Sequence, residues 1–227
     1  REEIIDAIHR EYVTANGRLV SETQTACVLM LYFDLARPEI RPRILQTLET
    51  NINAHHGHLT TGFVGAPYLC HCLTENGQHT LANEIFLKED CPGWFYAVKR
   101  GATTIWERWN GYTKDKGFGP VWMNSFNHYA YGAVLSWIYE TAAGMQSGPS
   151  AGWDTFVLAP VPDARLGSVD ASFRVQKGEI RSSWRYEDGV WYVENQAALD
   201  TLAMGAMADP DAAVEELLAA ASAALPY

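Results

Sequence analysis

The sequence predicts a mainly α chain that closes with a small antiparallel β unit and an Ala-rich helical tail. Three observations lead there. Up to about residue 145, apolar residues recur at helical spacing between loops that carry Gly and Pro. At about residue 151 the texture changes to short alternating runs, with turn signals at Lys177-Gly178 and Asp188-Gly189. From Gln196 the chain turns Ala-rich and helical in pattern again. The domains expected are residues 1–148 (α/α), 149–195 (small β) and 196–227 (helical tail).

Taken in order, Ile4, Ile5, Ile8 and Tyr12 mark a first amphipathic helix, which breaks at Asn16-Gly17. Ser21 is the expected N-cap of a second, through Ala26, Leu29, Met30 and Phe33. Pro38 and Pro42 punctuate the start of a third, with Ile44, Leu45 and Leu48 on one face. "HHGHLTTGFVGAP" reads as a loop, and Tyr68, Leu69, Cys72 and Leu73 begin a short helix that Gly77 ends. Leu81, Ile85 and Phe86 line the next helix. Residues 91–125 read as mostly loop, too aromatic to be disordered. Ser125 or Asn127 then caps a helix carrying Tyr129, Ala133, Val134, Trp137 and Ile138. Helices joined in succession by Gly-rich loops suggest an α/α architecture. In the tail, Asp209-Pro210 forms an N-cap with Pro at the first helical position, opening the last helix.

A formal net charge of −10 over 227 residues argues against partners that demand cationic surfaces, both nucleic acids and anionic membranes. Twelve per cent aromatic content suits a neutral substrate better than a polyanion. The cysteines Cys27, Cys70, Cys72 and Cys91 do not make a disulfide scaffold, which fits a reduced cytoplasmic chain. No apolar run is long enough to span a bilayer. The helix pattern is already under way at Arg1, as if cut from something longer, and export of a longer precursor stays open.

Chemistry concentrates between Cys91 and Asn127. In "TTIWERWNGY" one carboxylate, Glu107, lies between Trp106 and Trp109, with Arg108 beside it. A glutamate that acts as a general base needs a clear line to a water or hydroxyl. The other reading is a structural Arg108–Glu107 element with the tryptophans as core anchors. His128 follows among Asn124, Ser125 and Asn127, a run rich in the donors and acceptors that sugar hydroxyls require, or else a capping cluster around a satisfied histidine. His55, His56 and His58, and Cys70-His71-Cys72, lack the spacing of zinc sites, so no metal is expected. Phosphate-binding, nucleophile-elbow and dinucleotide motifs are missing, and no cofactor is expected.

"GATTIWERWNG" followed by "MNSFNHYAYGAVLSWIYE" resembles the α-L-rhamnosidases of glycoside hydrolase family 78. Upstream, "SETQTACVLMLYFDL", "LTTGFVGAPYLCHCLTENGQHTLANEIF" and "CPGWFYAVKRGATTIWE" are similar to that family's catalytic domain; downstream, "APVPDARLGSVDASFRVQKGEIRSSW" resembles the β domain after it. The resemblance spans roughly residues 1–195. It implies part of an (α/α)6-barrel of the six-hairpin type and inverting hydrolysis of terminal α-L-rhamnosides, without cofactor. It further implies Glu107 as general base, His128 as a contact in the −1 sugar pocket, and Trp106 and Trp109 in or near the pocket wall.

The family's general acid comes from a segment upstream of anything in this sequence, and about six of the barrel's twelve helices are visible. The expected partners are therefore rhamnose-containing glycosides, plus the remainder of a longer chain or a second copy covering the open barrel face. The isolated chain is expected to hydrolyse little. A non-catalytic carbohydrate-binding or assembly subunit is the alternative, and an unrelated α/α domain requires both motif matches to be accidents.

Overall fold

The computed structural model describes residues 1–199, which divide into two compact units, one over residues 1–137 and one beginning at Ile138. The first unit is helical. Helix α1 (Glu2–Tyr12) carries Glu2 and Glu3 in its first turn and His9 and Arg10 in its last, the distribution its macrodipole favours. It buries Ile5. A bridge between Val13 and Leu19 closes the turn after it.

Helix α2 (Gln24–Tyr32) buries Gln24, Cys27, Val28, Met30 and Leu31, so it is enclosed on most sides and lacks a single apolar stripe. Its cap is Thr23, whose hydroxyl accepts the Ala26 N–H at 3.2 Å. This corrects the expectation of Ser21: the helix starts at Gln24, so Thr23 is the residue immediately before it, placed to reach the third helical N–H. Helix α3 (Arg41–Ala54) has Pro42 in its first turn and buries Ile44, Leu48 and Ile52 at i, i+4 and i+8. It packs against α2, as does α4 (Ala66–Glu75), and α4 packs against α5 (His79–Phe86).

The loop between α3 and α4 is held from inside. The fully buried Gln24 amide donates to the His58 carbonyl at 3.0 Å and accepts the Thr60 N–H at 2.7 Å. Both backbone groups lack helical partners, and a side chain supplies them.

Residues 91–125 hold more structure than the sequence suggests. A six-residue helix, α6 (Trp94–Lys99), buries Trp94 and Tyr96, and a small hairpin pairs β1 (Tyr112–Thr113) with β2 (Gly117–Phe118). Both are too short for periodicity to reveal. The helix expected from Ser125 or Asn127 begins later and is shorter. A 3-10 turn over Ala130–Ala133 leads into α7 (Val134–Trp137), and neither Ser125 nor Asn127 caps it. Backbone pairing to residues 105–107 takes up residues 125–128 instead: Glu107 N–H donates to the Ser125 carbonyl and His128 N–H to the Ile105 carbonyl, each at 2.9 Å. Trp137, fully buried, donates through Nε1 to Thr74 Oγ1 at 2.9 Å.

In the second unit a π turn, Ile138–Ala142, precedes β3 (Met145–Ser147), which pairs antiparallel with β4 (Phe156–Leu158). Strands β5 (Ser168–Val175), β6 (Gly178–Glu187) and β7 (Val190–Leu199) form an antiparallel meander. Asp188 and Gly189, at φ 50° and 81°, make the tight β6–β7 turn that their sequence predicts. Ile180 and Met145 centre the core, and the buried Trp184 donates to the Ala142 carbonyl at 2.6 Å. Strand β7 continues through Gln196, which pairs with Arg181, to Leu199. Residues 196–199 are therefore strand rather than the start of a helical tail: a ten-residue β6 offers them backbone partners, and that outweighs the helix preference of Ala. The rest of the expected tail, with Asp209-Pro210, lies outside the described residues. Among the described residues no helix is long and apolar enough to cross a membrane.

Candidate active site

Residues 104–107 and 125–128 run alongside each other, tied by the two backbone bonds above and by the Thr104 hydroxyl donating to the Phe126 carbonyl. This pairing brings Glu107 and His128, twenty-one positions apart, onto adjacent segments. The Glu107 carboxylate turns to the facing chain, where Oε2 accepts the Ser125 N–H at 2.7 Å, the short distance of a charge-assisted bond. The residue is half-buried, and among the described residues Oε1 has no hydrogen-bond or ion-pair partner. Arg108 forms no ion pair with Glu107 among the described residues, so the structural Arg–Glu element is not what holds the carboxylate.

The loop after Glu107 is pinned by Asn124, whose side-chain amide donates to the Gly111 carbonyl at 2.8 Å. The same carbonyl accepts the Gly119 N–H at 2.8 Å. Side chain and backbone together close the loop on itself, which fixes the approach to Ser125 and through it to Glu107.

The tryptophans take different positions from the carboxylate. Trp106 is buried, edge-on to Phe126 at 5.3 Å. Trp109 stacks on Tyr131 with ring centroids 3.7 Å apart, stands edge-on to Trp94 at 5.2 Å, and directs Nε1 to the Thr61 carbonyl at 3.5 Å. Ile105, Trp106, Arg108, Trp109, Trp94 and Tyr131 line an apolar cavity of about 320 Å³, with Glu107 outside its wall. The sequence suggests a carboxylate held between two indole faces; in the fold the indoles go to the cavity and Glu107 goes to Ser125. Burial pushes the Tyr131 phenol above its ordinary value, Arg108 pulls it down, and Glu107 pushes it up, so both charges are felt at that ring.

His128 is half-buried, and its Nδ1 accepts the Ala130 N–H at 3.3 Å. Part of the capping reading therefore holds: His128 accepts the Ala130 N–H, and Ser125 Oγ accepts the Asn127 N–H at 3.1 Å. Its ring stacks on Phe63, centroids 4.5 Å apart and planes 15° apart. Phe63 and Tyr131 thus join the candidate site through ring contacts that the sequence does not reveal. Helical periodicity says nothing about ring contacts made across such separations.

His55, His58 and His71 each bond to another group of the first unit. His55 Nδ1 meets the Asn51 carbonyl at 2.8 Å, and His58 lies between Asp90 and the Pro92 carbonyl, each at 3.0 Å. His71 Nε2 bonds to Ser136 at 3.0 Å. All four cysteines are free thiols, with burial pushing Cys27 and Cys72 up to about 12.

The family model for the bacterial alpha-L-rhamnosidase 6 hairpin glycosidase domain matches residues 1–142, and that for the bacterial alpha-L-rhamnosidase C-terminal domain matches residues 144–195. An alpha-L-rhamnosidase of Formosa agariphila is 42% identical over 181 residues, 79% of this chain and 19% of the relative. One from Streptomyces avermitilis is 37% identical over 183 residues, 81% of this chain and 18% of the relative. The crystal structure of the Streptomyces avermitilis alpha-L-rhamnosidase complexed with L-rhamnose matches with a TM-score of 0.80 at 35% identity, covering 85% of this chain and 19% of that one. The native enzyme of Aspergillus terreus gives 0.82 at 29% identity, covering 88% and 23%. The chain thus spans about a fifth of the length of the relatives it matches.

Proposed function

The chain belongs to the bacterial α-L-rhamnosidase six-hairpin glycosidase family, and from that premise we propose that it carries the water-activating half of a rhamnoside-hydrolysing site. Glu107 is the general base and His128 a hydrogen-bonding contact to the sugar, while Trp106 and Trp109 line the neighbouring apolar cavity. The observation that carries the reading is the Glu107 carboxylate itself: Oε2 is tied to the Ser125 N–H, while Oε1 has no partner among the described residues. A carboxylate held by one oxygen has the other available to take a proton.

In inverting hydrolysis the water oxygen bonds to the anomeric carbon as the glycosidic C–O bond breaks. Glu107 takes the water's proton, and a second carboxyl group protonates the departing oxygen. The two carboxyls stand about 6.5–9.5 Å apart so that a water fits between them. The proposal places that general acid outside this sequence, in keeping with a chain that spans about a fifth of its relatives. The substrate class is terminal α-L-rhamnosides. Either the remainder of a longer chain or a second copy would cover apolar side chains such as Tyr12, Val20 and Phe33, which stand exposed in the first unit.

The test is turnover of an aryl α-L-rhamnoside. The isolated chain is expected to turn over little or none. Supplied with the missing acid, it is expected to lose about 10²–10⁴-fold of its rate on Glu107→Gln, the usual worth of a general base. Robust turnover that survives Glu107→Gln overturns the role given to Glu107.

A further inference from the structure

Phe63 belongs to the loop between α3 and α4, which Gln24 of α2 holds at His58 and Thr60 and which reaches the candidate site through Thr61 and Phe63. The Thr61 carbonyl receives Trp109 Nε1 at 3.5 Å, and the Phe63 ring lies against both His128, at 4.5 Å and 15°, and Tyr131, at 5.2 Å and 54°. The loop sits closely on its support, since a Cβ at Gly65 would come within 2.9 Å of Thr25 Oγ1. Phe63 is 38% exposed, which is wasteful for a core anchor and suits a ring that holds another ring.

His128 has its tautomer set from the other direction. Its Nδ1 accepts the Ala130 N–H at 3.3 Å, and a ring nitrogen that accepts an N–H carries no proton of its own. The neutral ring therefore bears its proton on Nε2, which no described residue accepts. Stacking on Phe63 sets the plane of the ring, and the Nε2–H bond lies in that plane. A second near-parallel ring, Tyr129, stands 5.6 Å away at 7°.

We infer that Phe63 is a positioning residue of the sugar site: it holds the His128 ring so that Nε2–H, fixed as the donor by Ala130, is presented to a hydroxyl oxygen of L-rhamnose. The inference rests on the reading of His128 as a sugar contact, but the geometry of the ring can be measured without any sugar.

The experiment uses the whole chain, unsubstituted and as Phe63→Leu and Phe63→Tyr. Nitrogen-edited NMR at alkaline pH, where imidazole is neutral, reads the His128 tautomer. The unsubstituted chain and Phe63→Tyr are expected to show a single Nε2–H form. Phe63→Leu keeps the apolar bulk but loses the flat face, and is expected to give mixed or broadened His128 nitrogen signals. Calorimetry with L-rhamnose is expected to show affinity weakened about fivefold in Phe63→Leu, the size of an aromatic pairing energy, and restored in Phe63→Tyr. A protonated Nδ1 in the unsubstituted neutral chain overturns the inference, as does a Phe63→Leu chain with unchanged signals and affinity. If the NMR pattern holds and the unsubstituted chain binds no rhamnose, the sugar role of His128 is overturned while the hold of Phe63 on the ring stands.

Discussion

Glu107 and Arg108 are consecutive yet act on their surroundings in opposite directions, and Tyr131 registers both. Glu107 raises the Tyr131 phenol's proton affinity and Arg108 lowers it, on top of a larger rise from burial. The signs follow directly: Glu107→Gln removes the negative charge and is expected to move Tyr131 titration to lower pH, while Arg108→Leu moves it higher. Carbon-labelled tyrosine NMR across the alkaline range reads both shifts, and movement in the same direction contradicts the geometry. "WERW" and "NHYA" made Glu107 and His128 visible in the sequence, because chemistry-bearing residue types stand there in an unusual setting. Phe63 and Tyr131 gave no such signal. A phenylalanine in a Gly-rich loop looks the same whether its ring faces solvent, core or a histidine sixty-five positions away.

At the scale of elements, turns written in the sequence behave locally and those made by packing do not. Gly189 sits at φ 81° with open space where a Cβ would go, so Gly189→Ala should cost only its conformational strain, about 1 kcal/mol. Gly144, at φ 69°, would place a Cβ 2.0 Å from the Pro160 nitrogen, and Gly144→Ala should cost about 3 kcal/mol or more because backbone must move. Urea denaturation of the two variants ranks them, and equal midpoints would show that the close approach at Gly144 relaxes freely. The Asp188-Gly189 turn was legible because the pair carries its own conformational preference. The start of α7 and the end of β7 were not. Cap residues and alanines state preferences worth about 1 kcal/mol, and a run of backbone hydrogen bonds to a distant segment exceeds that.

Across the whole of the first unit, His71 connects stability to pH. Its Nε2 bonds to Ser136, whose hydroxyl donates to the Ala133 carbonyl at 2.9 Å, and burial pushes its imidazolium below the ordinary value of 6.5. The unfolded chain then takes up the proton more readily, so this contribution to stability is present above the unfolded value and is lost as pH falls toward the folded one. The thermal midpoint is expected to drop as pH is lowered through the histidine range, and less steeply in His71→Gln; parallel curves would remove His71 from the account. By itself the sequence determined what depends on neighbours along the chain. It set the mainly α order, the β unit with its tight turn, and the two motifs that mark family membership and single out Glu107 and His128. Only the tertiary structure decided what depends on partners: that Glu107 turns to Ser125 while the tryptophans line a separate cavity, and that Phe63 stacks on His128. The physical reason is that local pattern reports which face of an element is apolar or which residue can accept a proton. Which group stands opposite is set by long-range packing and hydrogen bonding, where no local preference is strong enough to choose.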